Sequence, residues 1–178
     1  MITLVTGGAR SGKSNFAEGI LMDRKDVVYI ATSIITDKEM EERVEHHRKS
    51  RPSNWRTFEG YRDLVNAIGD EKSYILDCIT IMVSNTMFDI SKDADYINTH
   101  MQRQIEDAVL DELKGIFKLS KSHDLEIVLV TNEVGNSLIP ENHVSRVFRD
   151  IQGRVNQRIA SLADQVYLVC CGIPVKIK

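Results

Sequence analysis

An apolar run near the start of this chain, Ile2-Thr3-Leu4-Val5, leads directly into Gly7-Gly8-Ala9-Arg10-Ser11-Gly12-Lys13-Ser14, which matches the pattern G-x-x-x-x-G-K-[ST] at every fixed position. That order leaves few ways to fold. A short strand must end in a glycine-rich turn whose backbone N–H groups converge, and a helix must open near Lys13, with its positive end facing the same point. Such a turn cradles the phosphates of a nucleoside triphosphate. Lys13 then reaches the β- and γ-phosphates, and the Ser14 hydroxyl suits Mg²⁺.

The rest of the chain extends the same plan. Short apolar runs are expected as strands at Ile2 to Thr6, Val27 to Ala31, Tyr74 to Asp77, Glu126 to Thr131 and Gln165 to Val169. A last short piece, Val175 to Ile177, is expected after a Gly172-Ile173-Pro174 turn. Between them lie helical stripes: Met40, Val44 and His47; Ile97, Met101, Ile105 and Leu113; and Val144, Val147, Phe148, Ile151, Val155, Ile159 and Leu162. Alternating strands and helices predict an α/β fold with a mostly parallel central sheet, a recombinase-like P-loop NTPase ending in a short C-terminal hairpin. With 178 residues, 42% of them hydrophobic, one domain spanning 1–178 can build a full core. The stretch Phe88 to Tyr96, with four Asp or Lys residues, reads as a surface loop.

Composition excludes several functions. A net charge of −3 and a pI near 6.0 give no footing for a general nucleic-acid binder, which needs a basic excess to neutralise phosphates. The first residues have no positive flank and reach glycines after a few apolar positions, so neither a signal peptide nor a membrane span is expected, and the expected location is cytoplasmic. Cys78, Cys170 and Cys171 have no C-x-x-C spacing and read as reduced core residues.

Phosphate chemistry also needs a carboxylate at the end of a neighbouring buried strand to hold the metal. Asp77, closing Tyr74-Ile75-Leu76, is the candidate, and with Ser14 it forms the expected metal pair. Thr131, Asn132 and Glu133 follow another apolar strand, where ligands of open parallel sheets bind, and Glu133 could activate a substrate hydroxyl. The run His46-His47-Arg48-Lys49-Ser50-Arg51-Pro52 concentrates two imidazoles and three fixed cations in an acidic chain. Helical spacing from Met40 and Val44 turns His47 inward and leaves His46 facing solvent. The cluster suits either a C-terminal helix cap or a histidine nucleophile flanked by cations, and composition alone leaves both open.

The segments Val5 to Ser14 and Tyr29-Ile30-Ala31-Thr32-Ser33 resemble those of the adenosylcobinamide kinase/adenosylcobinamide-phosphate guanylyltransferase family. The likeness continues through His46-His47, Arg51-Pro52, Trp55-Arg56-Thr57 and Val130 to Gly135, then Phe148-Arg149-Asp150-Ile151, Gly153 to Gln157 and Gly172 to Lys178. It implies two reactions: phosphorylation of the aminopropanol hydroxyl of adenosylcobinamide by ATP or GTP, then transfer of GMP from GTP through a guanylylated histidine to adenosylcobinamide phosphate. The resemblance puts the nucleophile on His46. It also implies that Ala31, Thr32, Ser33, Arg48, Lys49, Ser50, Arg51, Glu59 and Asp77 bind GTP, with Glu59 on the guanine edge, and that the protein is a homotrimer. Asp77 stands where the family pattern often has glutamate, and the segments 59–74 and 88–96 are shorter than in that pattern. Two rival readings, a simple small-molecule kinase and a nucleotide-gated regulatory ATPase, explain the P-loop and Asp77 but give His46 no role.

Overall fold

The computed structural model describes residues 1–34, 51–92 and 94–178. The stripe Met40, Val44 and His47, the histidine pair, and Arg48 to Ser50 lie outside the described residues. A seven-stranded sheet runs through the molecule in the order β3-β2-β4-β5-β1-β6-β7. Its strands are β1 (Ile2–Gly7), β2 (Val27–Ala31), β3 (Arg56–Glu59), β4 (Ser73–Asp77), β5 (Glu126–Asn132), β6 (Gln165–Cys170) and β7 (Ile173–Lys176). All neighbouring pairs are parallel except β6 and β7. The expected α/β architecture with a terminal hairpin is therefore present.

Alternation along the strands assigns side chains to two cores. Leu4, Val28, Ile30, Tyr74, Leu76, Ile127, Leu129 and Val166 face one side. Val5, Val27, Tyr29, Ile75, Val128, Val130 and Val169 face the other. The first face is covered by three helices, α2 (Ile79–Ser91), α3 (Thr99–His123) and α4 (His143–Leu162). The second is covered by α1 (Lys13–Leu21), through Ala17 and Leu21, and by Trp55. Helices α3 and α4 each begin at an asparagine whose side chain accepts a backbone N–H: Asn98 from Met101 at 3.0 Å and Asn142 from Ser145 at 3.2 Å.

Four features depart from the sequence expectation. The short strand β3 was not anticipated, because Arg56-Thr57-Phe58-Glu59 is a mostly exposed edge without an apolar run. Helix α2 was likewise missed: Ile79, Met82, Val83 and Met87 are all buried, and Phe88 to Ser91, expected in a loop, form its last turn. Asp89, one of the charges that suggested a loop, accepts from the Tyr61 hydroxyl at 2.7 Å on the helix surface and pairs with Arg62. The final hairpin turns one residue earlier than expected, at Cys171 and Gly172, both with positive φ (51° and 79°). Pro174 therefore lies inside β7, an edge strand, where a missing N–H is tolerated. Cys170 and Cys171 are exposed rather than in the core, since they close β6 and enter that turn; Cys78 is half-buried, and all three are free thiols.

Candidate active site

Because six strands run parallel, their carboxyl ends gather along one edge, and the loops leaving β1, β2, β3, β4, β5 and β6 meet there. The loop between β1 and α1 is held from both sides. The Glu133 N–H donates to Gly7 O at 3.0 Å, and the Gly172 N–H donates to Ser11 O at 2.8 Å. A Cβ on Gly7 would lie 2.5 Å from Val169 O, and one on Gly12, whose φ is 90°, would lie 3.2 Å from Gly172 Cα. These two glycines let the loop nest against β6 and the final hairpin turn. Gly8 has open space where its Cβ would be. The Lys13 ammonium folds back and donates to Gly8 O at 3.2 Å. Ser14 sits half-buried in the first turn of α1.

Asp77 ends β4 beside Ala31 of β2, and its Oδ2 accepts the Tyr29 hydroxyl at 2.9 Å. No other hydrogen bond reaches this carboxylate among the described residues, so it keeps an oxygen for a ligand. Mg²⁺ usually takes one or two carboxylates, waters and substrate phosphates, and needs no cage built from protein alone. Ser14 and Asp77, with the open phosphate face at Gly8, fit that requirement, and no cluster of three His, Cys, Asp or Glu exists among the described residues to compete. The bound cation would neutralise the charge on the phosphates. Burial, and then the neighbouring Asp77 charge, push the Cys78 thiol up to about 11, partly offset by the Lys13 cation. Cys78 is thus a protonated thiol at neutral pH.

Next to Asp77, a cavity of about 300 Å³ opens between Ala31, Ser33, Ile34, Glu59, Gly60 and Tyr61. The register places Ala31 opposite both Glu59 and Asp77, and the Gly60 N–H donates to Ala31 O at 2.9 Å, so the cavity is an extension of the sheet's edge. Thr32 lines it too but is fully buried. Its hydroxyl donates to Cys78 O at 2.7 Å and accepts the Cys78 N–H at 2.9 Å, which fastens the end of β2 to the start of α2. A larger cavity of about 580 Å³ lies between α2, α3 and the 3-10 turn Leu64–Ala67, beside Tyr61, Thr86, Ile90 and Glu112.

The loop after β5 divides by depth. Thr131 is fully buried, where its hydroxyl donates to Asn156 Oδ1 at 2.8 Å and accepts from Gln152 at 3.0 Å. Glu133 remains half-buried at the edge, with its Oε1 accepting the Gly135 N–H at 2.6 Å. Thr131 therefore anchors β5 to α4, while Asn132, the register partner of Gly7, and Glu133, whose N–H donates to Gly7 O, both lie beside the P-loop. Arg51 does not present a free cation to the edge. Its Nε pairs with Glu18 at 3.1 Å, and its guanidinium stacks 3.2 Å from the Tyr29 ring centre. Sequence reasoning missed Tyr29 and Glu18: the first reads as a core strand residue, and the second as one of many helix acids.

Taken together, the loop, its lysine and the strand-end acid define a P-loop nucleotide-binding enzyme with a mostly parallel α/β sheet. A family model described as cobinamide kinase / cobinamide phosphate guanyltransferase matches residues 3–177, and the chain belongs to that family, whose members are bifunctional enzymes of cobalamin biosynthesis. Curated relatives agree over their whole length. The bifunctional adenosylcobalamin biosynthesis protein CobU of Escherichia coli (strain K12) is 46% identical over 100% of both chains, and its counterpart of the same name in Salmonella typhimurium is also 46% identical over 100% of both. CobP of Pseudomonas aeruginosa, of the same description, is 32% identical and covers 100% of this chain and 98% of its own. A solved structure described as a prototypical ATPase from the type III secretion system of pathogenic bacteria superposes with a TM-score of 0.47 at 11% identity, covering 94% of this chain and 50% of that one. Among the described residues, no helix is long and apolar enough to cross a membrane.

Proposed function

We propose that this chain phosphorylates the aminopropanol hydroxyl of adenosylcobinamide and then guanylylates the phosphate it has made, in the cytoplasm, using Mg²⁺ with GTP and either ATP or GTP as phosphoryl donor. The observation that carries the reading is the convergence on one sheet edge of the P-loop, Asp77 and the cavity bordered by Glu59. In the kinase step the substrate hydroxyl attacks the γ-phosphorus and the nucleoside diphosphate leaves. Gly7 to Ser14, through their backbone N–H groups and Lys13, hold the phosphates in line, while Glu133 takes the hydroxyl proton. Ser14 and Asp77 would hold the metal.

In the second step a ring nitrogen of His46 attacks the α-phosphorus of GTP and the bond to pyrophosphate breaks. The phosphate of adenosylcobinamide phosphate then attacks the same phosphorus and releases the histidine, giving adenosylcobinamide-GDP. Arg48 and Lys49 offset the phosphate charge, and the Ser50 hydroxyl donates to a phosphate oxygen. Ala31 and Ser33 border the base, and the Glu59 carboxylate accepts guanine N1–H and N2–H, a pattern adenine lacks. Homotrimeric assembly belongs to the same reading.

The test incubates the protein and Mg²⁺ with GTP labelled at the α- or the γ-phosphate. Acid-labile, base-stable protein label is expected from the α-position only, lost in His46→Ala and kept in His47→Ala. Absence of α-label, with GTP binding shown independently, would overturn the transferase half and favour a simple kinase or a nucleotide-gated ATPase.

A further inference from the structure

Tyr29, Ala31, Ile75 and Asp77 share one face of neighbouring strands β2 and β4, the face that α1 covers. On it a chain of buried polar contacts runs from the P-loop helix to the metal-holding acid. Glu18 of α1 pairs with Arg51, at side-chain exposures of 7% and 10%. The Arg51 guanidinium lies flat on the Tyr29 ring, and the Tyr29 hydroxyl donates to Asp77 Oδ2. Each contact fixes the next: the ion pair orients the guanidinium, the guanidinium pins one ring face, and the pinned ring fixes the line along which the hydroxyl meets the carboxylate.

We propose that Tyr29 is a positioning residue for Asp77, held in place by the Arg51–Glu18 pair, and that this relay turns one carboxylate oxygen toward the nucleotide-bound metal. The inference rests on the reading of Asp77 as the metal-holding acid. It reassigns Arg51, which the family resemblance placed among the GTP-binding residues, to the support of the metal site. Occupying Oδ2 with a neutral donor leaves Oδ1 as the free ligand oxygen. A buried tyrosine bonded to the acid on one side and stacked by an ion-paired arginine on the other is a built arrangement, and the reactions proposed above give it a use.

The experiment measures Mn²⁺ binding by the loss of the free-ion paramagnetic signal, with the full chain saturated by a non-hydrolysable β,γ-imido GTP analogue. Tyr29→Phe is expected to weaken Mn²⁺ binding about tenfold, the effect of one lost hydrogen bond to a charged group. Binding of the analogue in chelator should stay at the wild-type level. Arg51→Ala would remove one charge of a buried pair, so the double variant Arg51→Met/Glu18→Met, which removes both charges of that pair at similar volume, is the cleaner probe. It should weaken Mn²⁺ binding in the same direction and add little to Tyr29→Phe in the triple variant. Wild-type Mn²⁺ affinity in Tyr29→Phe, with or without a lower melting temperature, would overturn the relay while Asp77→Asn still loses the ion. Wild-type affinity in Asp77→Asn would instead overturn the reading of Asp77 as metal acid, and the relay with it.

Discussion

The glycines of the phosphate loop do different work, and the difference is measurable. At Gly7 an added methyl would meet the Val169 carbonyl, which belongs to the sheet and cannot swing away, whereas at Gly8 it would project into open space. Gly7→Ala should therefore lose about 1–3 kcal/mol of stability in urea unfolding, the usual cost of overpacking. Gly8→Ala should keep its urea midpoint and lose about tenfold in GTP affinity, because the methyl stands where phosphate oxygens approach. Equal stability losses in both would contradict this division. At this scale the sequence was legible where a motif carries its own backbone plan: Gly7 ends β1, Lys13 opens α1 and Asp77 closes β4, the strand and helix ends expected of them. Arg51 was not legible, because whether an arginine meets a phosphate or a buried Glu18 depends on a helix that is distant in sequence.

Among the elements, the inner strands could be read from short continuous apolar runs, which feed both cores, and the long amphipathic helices from an apolar stripe turned to one core. Helix α4 buries Val147, Ile151, Val155 and Ile159 at helical spacing and begins at the Asn142 cap. Ile151→Ala should cost about 2–5 kcal/mol by leaving a cavity in a fully buried position, and Asn142→Ala about 1 kcal/mol by losing one cap bond. Comparing urea midpoints of the two variants checks the ranking; a cap variant as damaging as the core variant would contradict it. Helix α2 escaped reading because it is apolar on several sides and rich in β-branched residues, so its period is blurred. Strand β3 escaped because an edge strand that pairs only through its backbone needs no apolar code.

At the level of the whole molecule, two apolar patches are exposed. One is the outer face of the final hairpin, where Ile173, Val175 and Ile177 are 66%, 50% and 60% exposed. The other is the loop tip with Leu138 and Ile139, 93% and 71% exposed. On the proposed homotrimeric reading, a closed ring of three copies would join unlike surfaces, one patch of each copy meeting the other patch of its neighbour. That reading predicts three times the 20.2 kDa chain mass in light scattering, reduced to one by either Val175→Asp or Leu138→Asp. A trimer that survives both changes would move the interface elsewhere. Assembly was the least legible level, because an exposed isoleucine looks the same in sequence whether it is buried by the core or by a second chain.

The hydrogen bond from Gly172 to Ser11 also has a bearing on how the phosphate loop acquires its order. Both neighbours of strand β1 in the sheet, β5 and β6, and the turn that braces the phosphate loop come from beyond residue 125. The loop of residues 7–14 is therefore braced only when these distant segments are in place beside it. Closing such distant pairings is slow for a folding chain. Local opening of the turn between β6 and β7 would release one of the two braces on the loop, so the order of the phosphate loop is tied to a hairpin far away in sequence.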